Sequence, residues 1–337
     1  MIGVEGAELG AADRQRLRQP RVAGAILFAR NYRDPAQLAA LCAEIRALRE
    51  APLLIAVDHE GGRVQRFVAG FTALPPMARL GGMYPLAPGR ALQAAADIGW
   101  LMGCELRQAG LDFSFAPVLD LDCGLSAVIG DRAFAAEPLV VAELAAALCD
   151  GLREAGVAAV GKHFPGHGAV AADSHAELPV DARSEAEIRA ADLLPFAELA
   201  RRGIAAMMPA HVLYPAVDAQ PAGFSRRWLA DILRGELGFA GAIVSDDLDM
   251  AGAALAGGPA DRAQAAVAAG CDLLLLCNDF AAVPAVLARL AELPVQPAAA
   301  ERIAALAGRQ WPGAGFRSQP RHAAAQRWVE LLAQQIP

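Results

Sequence analysis

Residues 161–179, GKHFPGHGAVAADSHAELP, carry three of the chain's six histidines beside a Lys-His pair. Gly, Pro and Ala fall where a helix or strand would show its period, so these titratable groups sit on a loop. Three chemistries are open to such a set. His163, His167, Asp173 and His175 offer nitrogen and oxygen ligands to a metal. Neither an H-x-H at a strand end nor an H-E-x-x-H on a helix accompanies them, so no metal is expected. Gly161-Lys162 lacks the spacing of a phosphate-binding P-loop. Proton transfer fits better. Asp173 stands just before His175, and a carboxylate accepting from one ring nitrogen fixes the tautomer and raises the imidazole pKa. The other nitrogen can then give a proton to a leaving oxygen and later take one from water. The composition of residues 166–172 would let such a loop move.

Ser245-Asp246-Asp247-Leu248-Asp249-Met250 supplies a second acidic centre. Successive strand residues face opposite ways, so one of Asp246 and Asp247 is expected to face a ligand and the other to serve structure. Two close carboxylates do not both ionise readily unless a cation such as Lys162 or Arg66 is near. Capping of a helix over residues 250–256 is the competing role of Asp247 or Asp249. Asp58, Arg66, Arg132, Lys162 and His163 are the types that grip adjacent hydroxyls, as on a sugar, through charge-assisted bonds. Arg66 follows Asp58 past a Gly61-Gly62 turn that can return it to the same place. Surface salt bridging is the competing role of Arg66 and Arg132.

The elements that would position these groups are legible as an alternation. Short apolar runs, expected as strands, cover residues 1–4, 22–28, 53–57, 111–117, 157–161, 205–209, 242–245 and 272–277. Between and after them, helices are expected over 11–18, 35–49, 89–109, 138–155, 184–201, 225–237, 259–269 and 280–293. Asp34-Pro35 and Glu137-Pro138 place Pro at a first helical position, Ser184 with Glu187 forms a capping box, and Gly110, Gly156, Gly203, Gly238 and Gly270 mark helix ends. Repeated β-then-α units imply an all-parallel sheet with helical crossovers. No G-x-G-x-x-G follows the first strand, which disfavours an open doubly wound sheet. The expected fold is α/β, a closed (β/α)8 TIM barrel over residues 1–293. A C-terminal helical extension over 294–337 would pack on the barrel's outside or bottom and end in an amphipathic segment, 322–335.

In such a barrel the site lies at the C-terminal ends of the strands. Asp58-His59-Glu60 follows the third strand, and Asp120 and Asp122 follow the fourth, with Arg132 on its loop. Lys162-His163 follows the fifth, His211 the sixth, Asp246-Asp247 the seventh and Asn278-Asp279 the eighth. The candidate residues therefore gather on one rim.

Composition bounds the rest. With 337 residues, 55% of them hydrophobic, the chain can build a core of this size. A net charge of -7 with no basic stripe excludes nucleic acid as the expected partner. No signal-peptide pattern opens the sequence and no apolar run approaches ~18 residues, so no membrane span is expected. Cys42, Cys104, Cys123, Cys149, Cys271 and Cys277 are scattered without a CxxC pair, as in a reduced, cytoplasmic protein. A monomer is expected.

Val57-Asp58-His59-Glu60-Gly61-Gly62-Arg63-Val64-Gln65-Arg66, Gly161-Lys162-His163-Phe164-Pro165-Gly166-His167-Gly168 with Asp173-Ser174-His175, and Ser245-Asp246-Asp247-Leu248 together resemble the family-3 glycoside hydrolases. The branch resembled is that of the bacterial cytoplasmic β-N-acetylglucosaminidases (β-hexosaminidases) of peptidoglycan recycling. The likeness runs in order from Val4 to about Asp279. The Lys-His-Phe and Ser-Asp elements are family-wide, whereas the Pro-Gly-His-Gly…Asp-Ser-His loop belongs to that branch. The resemblance implies Asp246 as nucleophile, His175 as general acid/base with Asp173 orienting it, and Asp58, Arg66, Arg132, Lys162 and His163 as the sugar-binding set. It implies release of terminal β-linked N-acetylglucosamine (GlcNAc) from muropeptides, including those ending in 1,6-anhydro-N-acetylmuramic acid. Configuration would be retained through a covalent glycosyl-enzyme, with no cofactor. Two other readings stay open: substrate-assisted hydrolysis with Asp246 orienting the acetamido group and Asp247 as the acid, and a non-catalytic muropeptide-binding protein. A histidine acid/base departs from the usual pair of carboxylates, and Gly3 stands where relatives commonly carry Asp.

Overall fold

Eight parallel strands form one sheet in sequence order: β1 (Ile2–Gly3), β2 (Gly24–Leu27), β3 (Leu54–Val57), β4 (Phe113–Ser114), β5 (Ala158–Phe164), β6 (Ala206–Pro209), β7 (Ala242–Asp247) and β8 (Leu273–Leu275). The computed structural model describes residues 1–174 and 176–334. A parallel bridge between Ile2 and Leu276 joins the last strand to the first. Gly3 N–H donates to the Leu276 carbonyl at 2.9 Å and Leu276 N–H to the Met1 carbonyl at 3.1 Å, which closes the barrel.

Side-chain alternation along the strands builds two cores. Leu54 and Ala56, Ala206 and Met208, and Ala242 and Val244 fill the barrel lumen. The intervening Ile55, Val57, Met207 and Ile243 face the surrounding helices. One step beyond the lumen series on their own strands come Asp58, Lys162 (after Val160) and Asp246. The alternation that packs the barrel therefore also aims these three groups at its mouth.

The strands differ in length from the sequence expectation. β4 stops at Ser114 rather than 117, because Pro117 has no N–H to continue the ladder. β5 runs on to Phe164, so Lys162 and His163 lie on the strand and not after it. β7 likewise includes Asp246 and Asp247.

Helix starts follow their signals. The Asp34 carboxylate caps Ala36 and Gln37 N–H, each at 2.9 Å. Ser184 Oγ accepts from Glu187 N–H at 3.3 Å while Glu187 accepts from Ser184 N–H at 2.8 Å. The single helix expected over 184–201 is instead two, Glu185–Ala190 and Leu193–Arg201. Pro195 cannot bond back to the Ala191 carbonyl and its ring opens that turn. The buried Asp192 at the break pairs with Arg183 at 2.8 Å.

Beyond Leu293, helix Pro297–Ala304 brings the fully buried Leu306 into the lumen core, sealing the barrel at the end opposite the strand C-termini. Arg302 anchors it on Asp272 at 2.6 and 3.0 Å. Helix Pro320–Ala333 starts slightly earlier than the expected 322, with Pro320 in its first turn. It packs on the outer helix Pro88–Ala109, where Arg321 and Trp328 both donate to Asp97, at 2.8 and 3.2 Å. Gln335, the end of the expected segment, lies outside the described residues. Among the described residues no helix is long and apolar enough to cross a membrane.

Candidate active site

A cavity of about 670 Å³ opens where the strands end. Phe28, Phe115, Met208 and Leu275 from the top of the lumen form its apolar floor, and its walls carry the charged groups.

The first wall is an ion-pair network. After β3 the chain forms a short antiparallel hairpin, His59–Gly61 against Val64–Gln65. Gly61 and Gly62 turn it with φ of 105° and 55°, in a space where a Cβ would lie 2.6 Å from the Pro75 carbonyl and 2.8 Å from Pro76 Cβ. The turn returns Arg66, whose Nη2 lies 3.4 Å from Asp58 Oδ2. Lys162 Nζ, from β5, donates to Asp58 Oδ1 at 2.9 Å and pairs with Glu60 Oε1 at 2.6 Å. Arg132 grips Glu60 with two bonds of 2.8 Å. Burial pushes the Asp58 and Glu60 carboxyls up, but Lys162, with Arg66 and Arg132 at Asp58 and with Arg132 at Glu60, outweighs it and holds both below the usual carboxylate range. Burial pushes the Lys162 ammonium down, Asp58 and Glu60 outweigh it, and its pKa is raised. Glu60 likewise outweighs burial at Arg132 and raises its pKa, so the network presents fixed donors and acceptors to a ligand.

The second wall is built on Asp120. Its Oδ2 lies 2.6 Å from His163 Nδ1, and its Oδ1 accepts from the backbone N–H of His163 and His167 at 3.2 and 2.7 Å. Burial pushes this carboxyl up, and the two histidines outweigh it and hold it below the usual range. His167 is itself buried, with Nε2 3.2 Å from Ser174 Oγ. Burial and His163 push its imidazole pKa down. In the loop 166–172, whose composition would let it move, residues 166–168 and Val170 are buried while Ala171 is exposed. Tyr214 OH donates to the Gly166 carbonyl at 2.5 Å, and Gly168 lies so near Leu121 that a Cβ would come 1.9 Å from its carbonyl. Asp173 and Ser174 line the cavity. His175 lies outside the described residues.

The third wall is the end of β7. Asp246 Oδ1 accepts from Asp247 N–H at 2.8 Å. The Asp247 carboxylate accepts from the N–H groups of Asp249 and Cys277, each at 3.1 Å, and from Asn278 Nδ2 at 3.5 Å. Burial first, then the Asp249 charge, pushes the Asp247 carboxyl up to about 7. Both aspartates line the cavity; Asp246 continues the lumen parity of β7, whereas Asp247, of the opposite parity, is tied to backbone. Asp249 caps no helix; its carboxylate crosses to Asn278 and Asp279 N–H at 2.8 and 2.9 Å.

Residues 1–306 match the glycosyl hydrolase family 3 N-terminal domain. The chain belongs to glycosyl hydrolase family 3. It is a glycoside hydrolase, and its relatives place it among the beta-hexosaminidases. The beta-hexosaminidase of Thiobacillus denitrificans is 61% identical over 290 residues, 86% of this chain and 81% of that one. That of Chromobacterium violaceum is 54% identical over 335 residues, 99% of this chain and 94% of the relative. Among solved structures, NagZ from Neisseria gonorrhoeae in complex with N-trifluoroacetyl-D-glucosamine is 46% identical, with a TM-score of 0.93 over 99% of this chain and 97% of that one.

In this family-3 hydrolase, the expected sugar-binding residues Asp58, Arg66, Arg132 and Lys162 meet in one network, with His163 on the adjoining wall. Asp246 and Asp173 line the same cavity. Two further residues belong to the walls although their types alone assigned them no role. Glu60 joins Arg132 to Lys162, and Asp120 holds His163 and His167. Glu60 had one available signal: it stands two positions from Asp58, on the same side of an extended chain. His59, between them, packs between Phe67 and Phe71 at ring distances of 5.9 and 5.7 Å.

Proposed function

We propose that this family-3 hydrolase is a retaining exo-β-N-acetylglucosaminidase. It removes the terminal non-reducing GlcNAc from muropeptides, including GlcNAc-1,6-anhydro-N-acetylmuramyl peptides, in the cytoplasm during peptidoglycan recycling. The observation that carries the reading is the convergence of Asp246 with the Asp58–Lys162–Glu60–Arg132 network in one cavity with a packed apolar floor. A floor of that kind accepts one terminal sugar and stops the chain there, which favours exo action. The bound amino sugar of the gonococcal relative favours the same ligand class.

Asp58, Arg66, Arg132, Lys162 and His163 hold the sugar hydroxyls. The ion pairs among Asp58, Lys162, Glu60 and Arg132 and the bond from Asp120 to His163 hold these side chains in place, so a neutral sugar meets donors and acceptors already oriented. Asp246 attacks the anomeric carbon with one carboxylate oxygen. As the C–O bond to the aglycone breaks, the His175 imidazolium, oriented by Asp173, gives its proton to the leaving oxygen. The neutral His175 then takes a proton from water, whose oxygen attacks the anomeric carbon, and Asp246 leaves as carboxylate. Two inversions retain the configuration.

Substrate-assisted hydrolysis has one observation in its favour: a carboxyl pushed up to about 7 at Asp247 is partly protonated at neutral pH, as an acid must be. Its bonds from Asp249 and Cys277 N–H favour a structural role instead. Turnover of an aryl N-acetyl-β-glucosaminide, beside the matched aryl β-glucoside, tests the activity. Release of aryl alcohol from the first alone is the expected result, and binding without turnover would leave only a muropeptide-binding protein.

A further inference from the structure

His211 lies just past β6, fully buried, and takes no part in the steps above. Its Nε2 is 3.1 Å from the Asp247 carbonyl oxygen. A carbonyl only accepts, so Nε2 carries the proton. Burial pushes the imidazole pKa down, so the ring is neutral and Nδ1 is bare. Nδ1 has no partner among the described residues, and Gly223 covers it, since a Cβ there would come 3.2 Å from Nδ1. Phe224 stacks on the ring face at 5.3 Å and 13°. The imidazole is thus held on its face and on both nitrogen edges, with one hydrogen bond to give.

That bond goes to the peptide unit next to the one that aims Asp246. Asp246 Oδ1 accepts from Asp247 N–H, and the Asp247 carbonyl accepts from His211. The two groups belong to one residue, so holding the carbonyl limits the rotation that would swing the N–H away. A second contact reaches the opposite wall. A Cβ on Gly252 would lie 3.0 Å from His211 Cβ and 3.1 Å from the Ser174 carbonyl, and Gly252 N–H donates to that carbonyl at 2.9 Å.

We propose that His211 is a positioning residue for the nucleophile: by donating to the Asp247 carbonyl it fixes the N–H that orients the Asp246 carboxylate. This rests on Asp246 being the nucleophile. The test compares the full-length wild type with His211→Ala and His211→Gln. A 2-deoxy-2-fluoro glycosyl donor with a dinitrophenolate leaving group reports attack by the nucleophile, and GlcNAc binding reports the sugar site. In His211→Ala the inactivation rate should fall about tenfold, the size expected for one neutral hydrogen bond, with GlcNAc affinity within about twofold of wild type. His211→Gln, whose amide can reach the same carbonyl, should recover most of the rate. If His211→Ala does not fold, His211→Met, similar in bulk without the donor, replaces it. An unchanged rate overturns the proposal. So does a parallel loss of GlcNAc affinity, or a Gln variant no faster than the Ala or Met variant. Label on a residue other than Asp246 in the wild type overturns the nucleophile reading and this proposal with it. Label on Asp246 with an unaffected variant overturns this proposal alone.

Discussion

Lys162 Nζ lies 2.6 Å from Glu60 Oε1, and both side chains are almost wholly withdrawn from water. Each charge is tolerable there only because of the other and of Asp58 and Arg132. Lys162→Met should therefore lose about 3–5 kcal/mol of unfolding free energy, since it leaves two buried carboxylates with one cation fewer between them. Glu60→Gln in the same background should restore part of that loss. Denaturant unfolding of the two single variants and the double variant checks this, and strictly additive losses would show that the pair is not coupled.

Asp173 and His175 stand together in the sequence on the loop that reaches the cavity at Asp173 and Ser174. If His175 donates the proton to the leaving oxygen, a good leaving group needs it little. His175→Ala should lose at least about a hundredfold on alkyl glycosides and far less on dinitrophenyl glycosides. Equal losses on the two substrates would remove His175 from the acid role.

His59 is buried, and burial followed by the nearby Arg66 pushes its imidazole down to about 3. As pH falls below about 6.5 the unfolded chain takes up a proton that the folded chain refuses, so stability is lost from there down to the folded pKa. The slope is up to about 1.4 kcal/mol per pH unit for this group alone. Thermal unfolding of wild type and His59→Phe between pH 7 and 4 should show the advantage of the phenylalanine growing as pH falls. A pH-independent difference would contradict the assignment.

Asp247 has the opposite sign. Its carboxyl is pushed up to about 7, so between the unfolded value near 4 and the folded value the folded chain holds the extra proton. Its contribution is fullest below about pH 4 and is lost as pH rises to about 7. Relative to Asp247→Asn, the wild type should lose stability over that interval and level off above it. A flat difference, measured by the same unfolding series, would mean that Asp247 is charged throughout.

Much of this arrangement follows from one alternation. Apolar residues of one parity on the strands fill the lumen, and Asp58, Lys162 and Asp246 continue that parity, so their direction was readable from the chain alone. The strand ends were not. Gly-Lys-His and Ser-Asp-Asp have weak strand propensity, and their extension to Phe164 and Asp247 is set by neighbouring strands and by side-chain partners. Glu60 and Asp120 were placed on the rim but given no role for a similar reason: what ties them to the walls is a partner 72 positions away in Arg132, or 43 in His163. The helix break at Ala191 was readable from Pro195, but a strong capping box at Ser184 and an unbroken apolar period masked it.

The carboxylate that forms the glycosyl-enzyme decides the mechanism. Inactivation with the 2-deoxy-2-fluoro donor, followed by mass spectrometry of the peptide spanning residues 242–250, tests this directly. The prediction is one sugar adduct per chain, located on Asp246. An adduct on Asp247, or no adduct together with tight binding of a thiazoline that mimics an oxazoline intermediate, would contradict it.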